Sequence, residues 1–238
     1  MRAIYRVSGI ATLNERYHSL PRRIGMGLDY ALRRRGPLAM APSQLGMFTR
    51  SDPAIATPDL EYHVQPLSLD KFGDPLHTFP AFTASVSHLR PESRGYVRIR
   101  TGDATAAPEI APCYLSTDGD RAVAARALRL TRRIVAQPAL APYRPEEYLP
   151  GAGYESDAEL AEAAGDIGTT IFHPVATCPM GANGDPDAVL DSRLRVRGID
   201  ALRVVDASAM PNITSGNTAS PTVMIAERGS DMIRADRG

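Results

Sequence analysis

The chain has 238 residues, enough for one sizeable domain or two small ones, and 43% of them are hydrophobic, so a buried core is expected. Its 27 basic and 27 acidic residues balance, which argues against a nucleic-acid or membrane surface built on net charge. No apolar run approaches the roughly 20 residues of a membrane span, and two cysteines, Cys113 and Cys178, make no disulfide framework, so the expectation is a cytoplasmic protein without a transmembrane segment.

In chain order, residues 3–7 alternate like a strand, and a helical stretch from about Arg22 to Arg35 ends at the stop signal Gly36-Pro37. Asp59 to Leu67 reads as a strand, with Leu60, Tyr62 and Val64 set against Glu61, His63 and Gln65. Ala81–Leu89 and Gly95–Arg100 are two further strands joined by the turn-like Arg90-Pro91-Glu92-Ser93-Arg94. Consecutive strands with short links predict an antiparallel sheet. A long helix follows over about Asp120–Gln137. Its apolar stripe is Val123, Ala127, Leu130 and Ile134, and Arg126, Arg129, Arg132 and Arg133 lie off it as a solvated face. Ser156 and Glu159 fit a capping box that opens a shorter helix. Leu202-Arg203-Val204-Val205 reads as an apolar strand, and Ser220-Pro221 as the start of a helix running to about Arg234.

Residues 172–222 are rich in Gly, Pro, Asn, Ser and Thr, and such loops tend to carry function rather than the core. His173 precedes Pro174, which favours an extended backbone for the histidine. A lone histidine is more often a satisfied structural residue than a catalytic one. A zinc pair of His173 with Cys178 would have only two ligands at an unusual spacing, so no metal is expected. Asp206 ends the 202–205 strand, where ligands bind in open α/β sheets, although an aspartate there can also simply cap a turn. Gly216-Asn217-Thr218 leads into the last helix, whose N-terminus suits an anionic group. No Gly-x-Ser-x-Gly elbow is present to support a hydrolase, and His63, His77 and His88 lie outside any motif and read as structural.

Taken together, three stretches are informative: the run from His173-Pro174-Val175-Ala176-Thr177 to Cys178-Pro179-Met180-Gly181, then Val204-Val205-Asp206-Ala207-Ser208, then Gly216-Asn217-Thr218 with Met224-Ile225-Ala226-Glu227-Arg228. In this order and spacing they resemble the C-terminal signature of the glucose–methanol–choline (GMC) oxidoreductases, in the branch of choline dehydrogenase-like alcohol dehydrogenases. The resemblance extends upstream through Arg35-Gly36-Pro37-Leu38, Ser51-Asp52-Pro53 and Ser93-Arg94-Gly95, and so covers nearly the whole chain. Two departures stand out. Ala176 occupies a position where the family usually has glycine, which tolerates more backbone conformations. The Gly-x-Gly-x-x-Gly loop that holds the FAD pyrophosphate in complete members is absent. The expected partner is therefore a missing N-terminal FAD-binding half, as for a truncated reading frame or a partial chain.

The resemblance implies an α+β fold. Residues 1–182 would form an antiparallel-sheet substrate domain with helices, and residues 183–238 the C-terminal strand and helix segment of a Rossmann-like FAD domain. It implies FAD as cofactor and an alcohol as substrate, oxidised by hydride transfer to flavin. His173 would be the catalytic base, because imidazole titrates near neutral pH, and Asn217 would orient the substrate oxygen. Asp206, Ala207, Asn217, Thr218 and Pro221 would contact the cofactor. The competing reading is a non-catalytic binding or regulatory module that kept the substrate-domain fold. The missing nucleotide loop favours that module, whereas the intact His173 and Asn217 favour an enzyme.

Overall fold

A computed structural model describes residues 1–41 and 43–236. Among the described residues, twelve strands and α-helices run in the order β1 (Arg2–Arg6), α1 (Leu13–His18), α2 (Leu20–Arg33), β2 (Leu45–Thr49), β3 (Leu60–Gln65), β4 (Ala81–His88), β5 (Tyr96–Arg98), β6 (Glu109–Ala111), α3 (Asp118–Val135), β7 (Glu146–Leu149), α4 (Asp157–Asp166) and α5 (Ala219–Ala235). The chain separates into two compact units, Met1–His88 with Thr117–Thr169, and Leu89–Ser116 with Thr170–Gly238.

The first unit is built on a five-stranded sheet in the order β2-β3-β4-β1-β7, with every pair antiparallel. The alternation along β3 has the expected consequence. Leu60 and Tyr62 point to the face that α3 covers, where they pack with Val86, Val123 and Ala127. Tyr62 keeps its phenol satisfied in this apolar layer by donating to the Ala127 carbonyl at 3.2 Å, with Thr131 Oγ1 at 2.9 Å. The opposite face is polar yet also buried, because the chain before β4 lies over it. Arg2 donates to the Leu69 and Asp70 carbonyls, and Thr83 to the Leu67 carbonyl.

The α3 stripe packs as its spacing predicts, with Val123 and Ala127 buried and Leu130 and Ile134 partly so. Two of the arginines off the stripe are not simply solvated. Arg132 makes a two-pronged bond to Glu147 on β7 at 2.8 Å, and Arg129 pairs with Asp157 at the start of α4. The α4 capping box forms as read: Glu159 accepts from the Ser156 N–H at 2.8 Å, and Ser156 Oγ accepts from the Glu159 N–H at 3.2 Å. On α2, Leu20, Ile24, Leu28 and Leu32 form an exposed apolar stripe at four-residue spacing. No helix among the described residues is long and apolar enough to cross a membrane.

The second unit holds the two-stranded β5–β6 ribbon and the helix α5. Strands β4 and β5 do not share a sheet, because the Arg90–Arg94 turn leads out of one unit and into the other. The segment 202–205 is not a regular strand. It pairs through the single bridge Arg195↔Arg203 and two bonds, Val196 N–H to the Leu202 carbonyl and Val204 N–H to the Leu194 carbonyl. A strand needs a continuous neighbour for its ladder, and here a looped segment supplies only isolated partners. Residues 170–182 also fold with the later part of the chain rather than with the sheet. The Cys178, Met180 and Gly181 N–H groups donate to the Ser208, Ala209 and Leu190 carbonyls at 3.0–3.2 Å. Leu190, Leu194, Ala209, Met210 and Ile225 form the core of this unit.

Candidate active site

The loop carrying His173 is bent at both ends by left-handed residues, Phe172 at φ 64° and Ala176 at φ 68°. The departure from glycine at 176 therefore falls on a position whose conformation favours glycine. The Thr170 hydroxyl accepts from the Phe172 N–H at 2.9 Å, and Val175 and Cys178 rest on the core of the second unit. Opposite this loop stands the entry to α5. Thr218 is its N-cap, buried to 6% exposure, and its carbonyl accepts from the Thr222 N–H at 3.0 Å.

His173 is held between these two segments. Its Nδ1 lies 3.0 Å from Thr218 Oγ1, and its Nε2 lies 2.7 Å from Asn217 Nδ2. An amide NH₂ can only donate, so with the Asn217 amide turned this way Nε2 accepts and Nδ1 carries the proton toward the Thr218 hydroxyl. The Thr218 N–H also points at Nδ1, from 3.4 Å, a weaker donor contact that the Nδ1–H form leaves unused. The imidazole thus presents a lone pair on Nε2 at the half-exposed side of the loop, beside an exposed asparagine amide. Ala219 and Ser220 are exposed residues whose first-turn N–H groups have no partner inside the helix, and Pro221, the third helical residue, has no N–H to offer.

Of the residues singled out in the sequence, His173, Asn217 and Thr218 meet directly. Asp206 and Ala207 do not join them. Asp206 caps the 3₁₀ turn Ala207–Ala209, accepting from the Ser208 N–H at 2.8 Å and from the Ser208 hydroxyl. That turn supplies the Ser208 carbonyl that receives the Cys178 N–H, so Asp206 supports the far end of the His173 loop.

The remaining histidines all have partners in the first unit. His18 bonds the Leu76 carbonyl, His63 lies 3.2 Å from Glu61, and His88 lies 3.4 Å from Asp120. Ser68, His77 and Asp70 form a Ser–His–Asp string at 2.9 and 3.1 Å. Ser68 is fully buried and its oxygen also accepts from Asn14 Nδ2, so it has no open side to attack a substrate. Among the described residues no three His, Cys, Asp or Glu side chains gather as metal ligands.

Residues 91–226, more than half the chain, match the family described as GMC oxidoreductase. The chain belongs to the GMC oxidoreductase family. It is 38% identical over 213 residues to the mitochondrial choline dehydrogenase of Mus musculus, an alignment that covers 90% of this chain and 36% of that protein. It is 39% identical over 208 residues to the oxygen-dependent choline dehydrogenase of Vibrio vulnificus, covering 87% of this chain and 37% of that one. Among solved structures, pyridoxine 4-oxidase from Mesorbium loti superposes with a TM-score of 0.77 at 29% identity, covering 98% of this chain and 41% of that one. Formate oxidase from Aspergillus oryzae shares the fold with a TM-score of 0.87 at 24% identity, covering 99% of this chain and 45% of that one. The chain thus spans a little over a third of the length of these curated relatives.

Two features of the site differ from what the sequence leads one to expect. The Thr218 hydroxyl, expected from the sequence to contact the cofactor, is bonded to His173. The left-handed turns at Phe172 and Ala176 have no local signature, since neither is glycine.

Proposed function

We propose that this chain is the alcohol-handling part of an FAD-dependent GMC oxidoreductase that oxidises a primary alcohol, with choline as the first candidate from its relatives. The observation that carries the proposal is the 2.7 Å pair of His173 Nε2 and Asn217 Nδ2 at the head of α5. In this reading residues 1–182 act as the substrate domain and 183–238 as a returning segment of the FAD domain, with 170–182 folded onto the latter.

The donor set of this chain fits the ring end of a flavin. Two first-turn helix N–H groups, of the exposed residues Ala219 and Ser220, suit a carbonyl edge that becomes more negative on reduction. Asn217 adds an amide, and Thr218 and Pro221 shape the same helix entry. Asp206 retains acceptor capacity that suits the hydroxyls of a ribityl chain, with Ala207 beside it. When bound, FAD supplies the hydride acceptor, as cofactors supply the redox chemistry in such enzymes.

The protein residues do the rest. An alcohol hydroxyl replaces Asn217 as the donor to His173 Nε2, and the released Asn217 N–H turns to the alcohol oxygen. The oxygen is thereby fixed by one acceptor and one donor, which orients the carbon that bears the hydride. As the aldehyde forms, the hydroxyl proton moves to Nε2, and the Nδ1–H bond to Thr218 Oγ1 keeps the ring in place while it carries both protons. Asn217 meanwhile donates to the oxygen as its charge grows.

The test is a fusion of this chain behind the FAD-binding part of a choline dehydrogenase relative. Anaerobic choline, or another primary alcohol, should bleach its flavin absorbance. A flavin-loaded fusion that no primary alcohol reduces would sink the catalytic reading and favour a binding module.

A further inference from the structure

Residues 211–217 link the 3₁₀ turn to α5 and have no regular structure. Among the described residues, none of their backbone groups takes part in a backbone hydrogen bond. What holds the segment is a set of side chains. Asn217 and Thr218 grip His173 at one end. At the other end, Arg94 Nη2 donates to Asn212 Oδ1 at 2.5 Å and Arg90 Nε donates to Ser215 Oγ at 3.1 Å.

Arg94 is itself braced by its own turn, donating through Nη1 to the Pro91 carbonyl at 3.0 Å and the Ser93 carbonyl at 3.2 Å. Ser215 sits at φ 61°, a left-handed conformation that an L-residue keeps only when something holds it. It lies two residues before Asn217. Packing does not replace these bonds, because a cleft of about 440 Å³ opens here, lined by Arg90, Pro91, Arg94, Asn212, Ile213 and Ser215 among others.

We propose that Arg90 and Arg94 are positioning residues, and that their grip on the 212–215 loop sets Asn217 against His173 Nε2. The inference rests on the reading of that pair as the alcohol-handling group and adds the element that aligns it. A single exposed polar bond has little effect, but this loop has no backbone anchors, so its two side-chain anchors decide where Asn217 stands.

The test reads the ring of His173 in the whole chain, with neither FAD nor alcohol present. Two-bond ¹H–¹⁵N spectra of histidine-labelled protein report which ring nitrogen carries the proton, and His173→Gln identifies the signals of His173. Wild type should show the Nδ1–H form, with Nε2 accepting. In the double variant Arg90→Ala/Arg94→Ala the ratio of Nδ1–H to Nε2–H should fall roughly 2- to 10-fold, the range for losing one net hydrogen bond. Asn217→Ala should move it the same way, and Arg90→Lys/Arg94→Lys should restore part of it. The four other histidines lie in the first unit and should not respond.

If the arginine variant does not fold, Asn212→Ala/Ser215→Ala removes both acceptors from the loop side and is read in the same spectra. Unchanged His173 signals in the folded arginine or acceptor variant, while Asn217→Ala shifts them, would overturn the proposal. Silence in Asn217→Ala as well would overturn it one step earlier, at the pair itself. Because the readout needs no turnover, a response here beside an inactive fusion would sink the catalytic reading and leave the positioning intact.

Discussion

Replacing Ala176 by glycine should be tolerated or stabilising, whereas the same change in a helix should be costly. Ala176 is held at φ 68°, where an L-residue costs about 1–2 kcal/mol relative to the right-handed region. Glycine removes that penalty, gives back about 0.5–1 kcal/mol in chain entropy, and loses a fraction of one methyl burial, worth about 0.8 kcal/mol if complete. These terms nearly cancel, so Ala176→Gly should lie at or slightly above wild type. Ala226 is exposed on α5, and there Ala→Gly costs about 1 kcal/mol with no strain to relieve. The gap between the two variants is therefore set by the backbone angle at 176 and should be about 1–2 kcal/mol. For a chain of this size that corresponds to roughly 2–8 °C in Tm by calorimetry. If Ala176→Gly lost as much as Ala226→Gly, the left-handed turn behind His173 would not carry the strain assigned to it.

Two further perturbations probe the frame. At Gly229 on α5 an added Cβ would stand 2.5 Å from Val205 Cγ1, so Gly229→Ala should cost about 1–3 kcal/mol in urea unfolding. Adding Val205→Ala should recover part of that, and a neutral Gly229→Ala would contradict the packing. The Ser156 N–H and hydroxyl, then the Glu155 N–H, hold the Glu159 carboxyl below its ordinary range. A depressed carboxyl stabilises at pH above the unfolded value of about 4.3 and loses that contribution as pH falls through the lower native value. Amide protection at the start of α4 should therefore drop in acid, and Glu159→Gln should flatten the drop. A ¹³C titration placing Glu159 at or above the ordinary value would refute it.

The legible parts of the fold are those whose signal is local. The period of α3, the alternation of β3 and the Ser156–Glu159 box each specify their element within a few residues. The elements α1, β2, β6 and β7, three to six residues long, escape a sequence reading; the strands among them depend on distant partners, whereas α1 has a local Thr12–Glu15 box. Strand β7, with Glu146 and Glu147, is fixed by β1 and by Arg132 of α3 rather than by an apolar pattern. The converse error at 202–205 has the same origin: an apolar run suggests a strand, but its neighbours offer single bridges. In the site, His173 and Asn217 are legible through their motifs. The bonds from Arg90 and Arg94 reach across 125 and 118 residues, which no local pattern encodes.

The proposed alcohol chemistry turns on the proton acceptor, His173 Nε2. In the fusion enzyme, stopped-flow flavin reduction by alcohol under anaerobic conditions should be roughly 10²–10⁴-fold slower for His173→Ala than for wild type, with flavin content unchanged. Asn217→Ala should slow it only about 2- to 10-fold, as for the loss of one hydrogen bond. Reduction at a near wild-type rate in His173→Ala would contradict the base assignment, and loss of flavin from that variant would show His173 to be structural.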